Sequence, residues 1–217
     1  MFFQPLETLT IFFRLYSVIN QQTICYFIRR VLFKVDDLEL VNSILDGNTN
    51  SFNVLIYKYE SSIFRFILTM VKNPEEAKDL TQDVFITVYN KLYTFKGHNK
   101  FSSWIYQIAR NKSLDYLRKN KQSIQLSIEN AWDVFSNDPL PEQWLEFKET
   151  KAELQDFIKH LDDTTRQILM LKSLNDNLKF ADISEILNIS ISTVKTKYYR
   201  LWDKYNNYKN EKECKAL

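Results

Sequence analysis

Ser192, Thr193, Lys195, Thr196, Lys197 and Arg200 place three hydroxyls and three cations within nine residues. Hydroxyls of this kind can exchange hydrogen bonds with base edges, while the cations neutralise phosphates. Ile191, Val194, Tyr198, Leu201 and Tyr205 run through the same stretch at spacings of three and four. On a helix they would share one side and leave the hydroxyls and cations on the rest of the surface. Ser190 is the expected N-cap. Asn188-Ile189-Ser190 is the expected turn, because Asn tolerates a left-handed backbone better than most residues. A short apolar pattern, Phe180–Leu187, comes before it. A short helix, a tight turn and a second helix with hydroxyls at its start and bases beyond it can enter a major groove. Residues 164–205 are therefore read as a helix-turn-helix module. An ordinary solvated face would need the turn, both apolar patterns and the basic face to coincide by chance.

A second group of residues suits unpaired nucleic acid. Residues 93–100 read Tyr-Thr-Phe-Lys-Gly-His-Asn-Lys, with two aromatics and two lysines in a loop. Rings stack on unpaired bases while lysines hold phosphates. Phe101–Lys119 then reads as a helix that is apolar on more than one side, through Trp104, Ile105, Ile108, Ala109, Leu114 and Leu117, as expected of a central helix. It ends in Arg118-Lys119-Asn120-Lys121, which also complements the helix dipole.

A third group is acidic. Asn73-Pro74-Glu75-Glu76 is a helix start, with Asn as cap, Pro at the first position and acids at the positive end. At 100° per residue, Ala77, Thr81, Val84, Phe85, Val88 and Leu92 share one side of that helix. Asp79, Asp83, Ile86 and Asn90 share the other, with Gln82 at its edge. An Ile at the centre of an acidic outer face is either an incidental exposed apolar residue or the middle of a protein-binding patch.

These groups need a scaffold, and the composition points to helices. The chain has 217 residues, 45% of them apolar, with only 2 Gly and 4 Pro. Tight turns between strands use more of both, and the length allows one or two domains. The expected fold is all-α: two small helical domains joined by a flexible linker. The first spans 35–121 and the second, a four-helix domain with the helix-turn-helix, spans 141–208. Its first helix is expected at Gln143–His160 and its second at Thr164–Leu174, capped by Asp162 or Asp163. In the first domain, Leu38, Val41 and Leu45 precede the stop signal Asp46-Gly47-Asn48. Phe52, Leu55, Ile56, Tyr59, Ile63, Phe66, Ile67 and Met70 then mark a core-facing helix.

The net charge of +2 is uninformative, but its distribution is not. Residues 91–121 carry eight Lys/Arg against one Asp, and residues 190–217 seven against three acids. Residues 122–149 carry six acids against one Lys. Two basic blocks separated by an acidic one suggest two DNA-facing modules and a linker, 122–140, that stays off the DNA. Cys25 and Cys214 have no Cys-x-x-Cys spacing and no His-rich cluster beside them, which argues against a disulfide framework or zinc site and fits a reducing cytoplasm. Residues 1–34 contain apolar runs broken by Arg14, Arg29 and Arg30. They fall short of the roughly 18 uninterrupted apolar residues of a membrane span and show no export cleavage pattern. They read as a peripheral extension or as sequence upstream of a misplaced start. Residues 209–217 form a tail.

Taken in order, the segments resemble the bacterial RNA polymerase sigma factors of the sigma-70 family, in their small two-domain extracytoplasmic-function subfamily. Asp79–Phe85 matches the family's Asp-Leu-x-Gln-Glu/Asp-x-Phe segment. Phe101–Asn111 followed by Leu114–Arg118 matches the signature after it. Leu161–Leu169, Ile183–Leu187 and Ile191–Lys197 resemble the family's second domain. The match covers roughly residues 36–208.

The resemblance implies that Asp79, Gln82, Asp83, Ile86 and Asn90 bind core RNA polymerase, at the clamp coiled coil of its largest subunit. The flap region of the polymerase is a further implied contact. It implies that Phe95, Lys96, His98, Asn99, Lys100, Asn111, Arg118 and Lys119 open and read the −10 element, with Trp104 and Ile108 as core. Ser192, Thr193, Lys195, Thr196, Lys197 and Arg200 would meet the −35 element. The implied partners are polymerase, promoter DNA and an anti-sigma factor of the membrane-bound kind. No cofactor, metal, small-molecule substrate or enzymatic activity is implied, and the location would be cytoplasmic. Asn188 stands where the turn commonly has Gly, Ser184 where the helix before it has Ala, Lys197 for Arg, and Tyr198-Tyr199 for Leu-His.

Two rival classes are weighed against this reading. An ordinary regulator would bind duplex DNA alone as a dimer. A helical enzyme acting on nucleic acid would need convergent acids or metal ligands, and the sequence offers no phosphate-cradling Gly loop, paired carboxylates or nucleophile triad.

Overall fold

A computed structural model describes residues 35–97, 99–120, 157–158, 160–175 and 178–215, with side chains as far as Tyr208. All regular structure among these residues is helical. The fold is all-α, with two helical domains connected by a linker. The expected extension 1–34, linker 122–140, residues Trp132 and Phe135, most of the helix at 143–160, and His98 lie outside the described residues.

Helix α1 (Asp37–Leu45) begins with Asp37 and Glu39 in its first turn, where they favour the positive helix end. It buries Leu40, Val41 and Ile44, whereas Leu38 and Leu45 are about half exposed. Gly47 closes it at φ 98°, and its N–H donates to the Ile44 carbonyl. Only glycine takes that backbone without a Cβ penalty. Lys58 donates to the Val35 carbonyl at 2.7 Å and pairs with Asp37 at 2.7 Å, which ties the start of α1 to the helix after it.

Helix α2 (Asn50–Val71) carries the long apolar repeat, and Leu55, Ile63, Phe66, Ile67 and Leu68 are fully buried. It ends at Lys72 with φ 58°, a left-handed cap reached without glycine. Helix α3 (Pro74–Lys91) starts as the sequence predicts: Asn73 Oδ1 accepts from the N–H groups of Glu75 and Glu76 at 3.0 and 3.3 Å. Ala77, Thr81, Val84, Phe85, Val88 and Leu92 are all buried, so the predicted inner face is the inner face. Thr81 satisfies its hydroxyl on the Ala77 carbonyl. A 3-10 turn, Leu92–Thr94, leads into the loop.

Helix α4 (Phe101–Lys119) packs against α3. Tyr106, absent from the apolar set read in the sequence, is fully buried edge-on to Phe66, with ring centroids 5.4 Å apart. Burial pushes its phenol up to about 12.

In the C-terminal part, Asp162 caps α5 (Asp163–Leu174) by accepting from the Thr165 N–H. Helix α6 (Phe180–Leu187) is capped by Asp182, which accepts from the Lys179 N–H at 2.6 Å. Asn188 then takes the left-handed conformation, φ 48° and ψ 50°, as expected. Ser190 Oγ accepts from the Thr193 N–H at 3.1 Å and opens α7 (Ile191–Lys215). Helix α7 runs ten residues beyond the predicted end at Tyr205. Phe157, Ile158, Leu161, Leu169, Leu201 and Tyr205 form one cluster, with Trp202 and Tyr208 packed on it. The added turns of α7 carry Tyr208 onto Phe157 at 5.5 Å, so aromatic burial supports the extension. Arg166 is buried among these helices, its guanidinium donating to the Leu161 carbonyl and to Asp163.

Candidate nucleic-acid interface

The outer face of α3 is as polar as its inner face is apolar. Asp79, Gln82, Asp83, Ile86 and Asn90 are all exposed, and Ile86 keeps 59% of its surface. Tyr89 and Tyr93 extend the Ile86 stripe at the next two helical intervals, 49% and 76% exposed. The sequence reading missed Tyr89 and assigned Tyr93 to the aromatic loop, although their spacing of three and four after Ile86 was the available signal. An apolar stripe rimmed by acids is suited to a protein partner.

The loop after α3 is organised around an aromatic knot. Phe95, Phe101 and Trp104 are mutually in contact, with centroids 5.5–5.6 Å apart. Gly97 turns the chain at φ 71°. A cavity of about 220 Å³ opens here, lined by Thr94, Phe95, Lys96, Gly97, Asn99, Trp104 and Gln107. Trp104, expected as core, is half-buried and forms one wall. Gln107, not singled out in the sequence, supplies an amide one helical turn further on. Lys96 and Asn99 of this lining are exposed, as is the next residue, Lys100. Lys100 pairs with Asp182 at 2.8 Å, and Asn99 donates to Glu185 at 3.2 Å.

Asn111, Arg118 and Lys119 lie exposed further along α4. Arg118 pairs with Asp115 at 2.9 Å. Arg110 is held below the usual arginine range by burial first and by the charge of Arg118 second, so two cations share this stretch. Arg110 also escaped the sequence reading.

On α7, the Ser190 hydroxyl contacts the hydroxyls of Ser192 and Thr193, each at 2.8 Å, so the first turn presents a hydrogen-bonded set. Ser192, Lys195, Thr196 and Arg200 are exposed, and Thr193 and Lys197 partly so. Lys197 is engaged by Asp162 at 3.0 Å. Burial alone would push the Asp162 carboxyl up. The Thr165 hydroxyl, the Lys197 ammonium and the Thr165 N–H outweigh it and hold the carboxyl at about 2. Of the apolar stripe, Val194, Leu201 and Tyr205 are buried and Tyr198 partly, but Ile191 is 45% exposed. Ile191 occupies the first position of the helix, before the inner face has a neighbour to meet. Tyr199 is 58% exposed beside the hydroxyls and cations.

Among the described residues no helix is long and apolar enough to cross a membrane. No group of three or more His, Cys, Asp or Glu among them could hold a metal ion.

A charge pattern does not by itself define a class, but the two halves of this chain each do. Residues 55–123 match Sigma-70 region 2, and residues 151–201 match Sigma-70, region 4. The chain is 32% identical over 168 residues to ECF RNA polymerase sigma factor SigW of Bacillus subtilis (strain 168), covering 74% of this chain and 89% of that one. It therefore belongs to the ECF RNA polymerase sigma factors. As a member it binds RNA polymerase and serves promoter recognition. The fold resembles CnrH in its complex with the cytosolic domain of CnrY, with a TM-score of 0.56 at 18% identity, over 81% of this chain and 97% of that one. It also resembles the sigma factor RpoE in complex with the anti-sigma factor NepR from Bartonella quintana, with a TM-score of 0.54 at 17% identity, over 73% and 96%.

Proposed function

We propose that this chain directs RNA polymerase to promoters by three separate contacts and opens the DNA at one of them. The acidic face of α3, with Ile86 at its centre, docks on the clamp coiled coil of the polymerase's largest subunit, and the C-terminal domain meets the flap region. Lys96, Asn99 and Lys100, with Asn111, Arg118 and Lys119 along α4, engage the −10 element. Helix α7 lies in the duplex at the −35 element, with Ser192, Thr193, Lys195, Thr196, Lys197 and Arg200 toward the DNA.

The observation that carries this reading is the cavity of about 220 Å³ beside Phe95 and Trp104, with the exposed Lys96 and Asn99 in its lining. A duplex-binding regulator has no use for such a recess. An unstacked base needs a pocket with rings and amides inside and cations outside. Opening is then favoured because the freed base is held. Phosphodiester formation belongs to the polymerase. The functional modules are residues 35–121 and 141–208, with 122–140 as the connection between them.

An anti-sigma factor is the expected regulator. The RpoE structure, similar in fold, is a complex with one, which supports a partner of that class for this chain.

Purified core polymerase, tested with and without this chain on a genomic promoter library, provides the test. Promoter-specific initiation that requires the chain is the expected result. Tight, specific duplex binding by the chain alone as a dimer, with no effect on initiation, would favour the regulator instead.

A further inference from the structure

The cations near the start of α7 are not equivalent. Lys195 and Arg200 are exposed and meet no carboxylate among the described residues. Lys197 Nζ lies 3.0 Å from Asp162 Oδ1 and keeps only 34% of its side-chain surface. That carboxylate is fastened at both oxygens. As the cap of α5, its Oδ1 accepts from the Thr165 N–H at 3.1 Å and its Oδ2 from the Thr165 hydroxyl at 2.5 Å. The neighbouring Asp163 pairs with Arg166 at 2.8 Å rather than with α7. Position on the helix separates the cations further. At 100° per residue, Ser192, Thr196 and Tyr199 fall together on the outer face, opposite the buried Val194 and Leu201. Lys197 stands about 100° round from Thr196, at the border where α7 packs on α5.

We propose that Asp162 is a positioning residue of the −35 contact: it holds Lys197 at the flank of α7 with its charge balanced, and leaves Lys195 and Arg200 to neutralise phosphates. This rests on the reading of α7 as the DNA-facing helix. Affinity that comes from cations is blind to sequence, because each neutralised phosphate releases counterions whatever the bases are. Discrimination comes from groups that reach base edges. A phosphate approaching Lys197 meets an ammonium with a carboxylate 3.0 Å away. The cap of α5 keeps that carboxylate in place, so the site presents the duplex with no net charge. Lys197 therefore contributes position rather than counterion release. Sequence-blind affinity stays low, and the outer face of α7 carries a larger share of the choice of site.

The test measures binding of the full chain to a random-sequence DNA duplex over a range of salt concentrations. Each phosphate contact adds about 0.9 to the slope of log Kd against log salt. Asp162→Asn retains a cap of equal quality and frees the ammonium. It should steepen the slope by the amount of one contact and tighten binding severalfold at low salt. Lys197→Gln alone should leave the slope unchanged, and in the Asp162→Asn background it should remove the added contact. With core polymerase, Asp162→Asn should lower the preference for a cognate over a scrambled −35 element severalfold. A slope that falls with Lys197→Gln alone, or that does not move with a folded Asp162→Asn, overturns the proposal. If Asp162→Asn melts early, the Lys197→Gln slope decides alone. A wild-type holoenzyme indifferent to the −35 sequence overturns the reading of α7 itself, which separates the two failures.

Discussion

Lys197 Nζ lies 3.0 Å from Asp162 Oδ1, so a cation in the middle of the α7 basic face is held by the residue that caps α5. One carboxylate thus fixes a helix start and orients a side chain of the basic face. Its pKa follows from this. The folded carboxyl sits at about 2, below the ordinary value of 3.8. A depressed carboxyl contributes stability that is present above its unfolded pKa and is lost as pH falls through the folded one. With about half of the side chain in solvent, screening leaves a contribution of ~1 kcal/mol. Urea unfolding should show that contribution constant above pH 5 and disappearing between about pH 4 and pH 2. Asp162→Ala should cost ~1–2 kcal/mol at pH 7 through the lost cap and show a flatter acid limb.

The two faces of α3 make opposite predictions. Asp83 is exposed, so Asp83→Lys should leave the melting curve unchanged while abolishing pull-down of core polymerase. Ile86→Glu and Tyr89→Ala should weaken the pull-down without unfolding, because both side chains face solvent. Val84→Asp, at a fully buried position, should unfold the domain, since an unpaired buried carboxylate costs several kcal/mol. Normal polymerase capture by Asp83→Lys would count against this face.

Gln107 lines the cavity and lies outside the aromatic knot of Phe95, Phe101 and Trp104. Gln107→Ala should therefore leave stability and polymerase binding unchanged and reduce promoter opening roughly tenfold, the scale of one lost hydrogen bond to a held base. Permanganate reactivity of thymines at the −10 element reads opening directly.

Asn188 has φ 48°, where a Cβ is a penalty of about 1 kcal/mol. Asn188→Gly should stabilise the C-terminal domain by ~0.5–1 kcal/mol. Asn188→Val should destabilise it by more than that, because a β-branched residue is least tolerant of this backbone. Denaturant midpoints of the two variants should move in opposite directions.

Much of this was legible in the sequence where a local rule and the tertiary packing agree. Asn73-Pro74 dictates a helix start by its own chemistry, and the six inner residues of α3 follow from period alone. The turn at Asn188 and the cap at Ser190 are equally local. Other features depend on neighbours that the sequence does not place. Leu38 and Leu45 satisfy a helical period yet stay half exposed, because the buried side of α1 is set by Leu40, Val41 and Ile44. Ile191 continues the α7 stripe but precedes its packing partners. The engagement of Lys197 by Asp162 spans 35 residues, and that of Lys100 by Asp182 spans 82. No periodicity encodes either. The burial of Arg166 depends on its carbonyl partner at Leu161, which no apolar period marks. The full length of α7 depends on Tyr208 reaching Phe157, a contact between aromatics 51 positions apart in the sequence.

The central claim is that the chain gives core polymerase its promoter choice and opens the DNA. The most direct measurement is run-off transcription by purified core polymerase on cognate promoter DNA, with permanganate footprinting of the same complexes. The expected result is initiation and −10 reactivity only when this chain is present. Both should be lost with Asp83→Lys, and both should fall with Gln107→Ala while capture of core polymerase is unchanged. Initiation that is indifferent to the chain across a genomic promoter library would contradict the account.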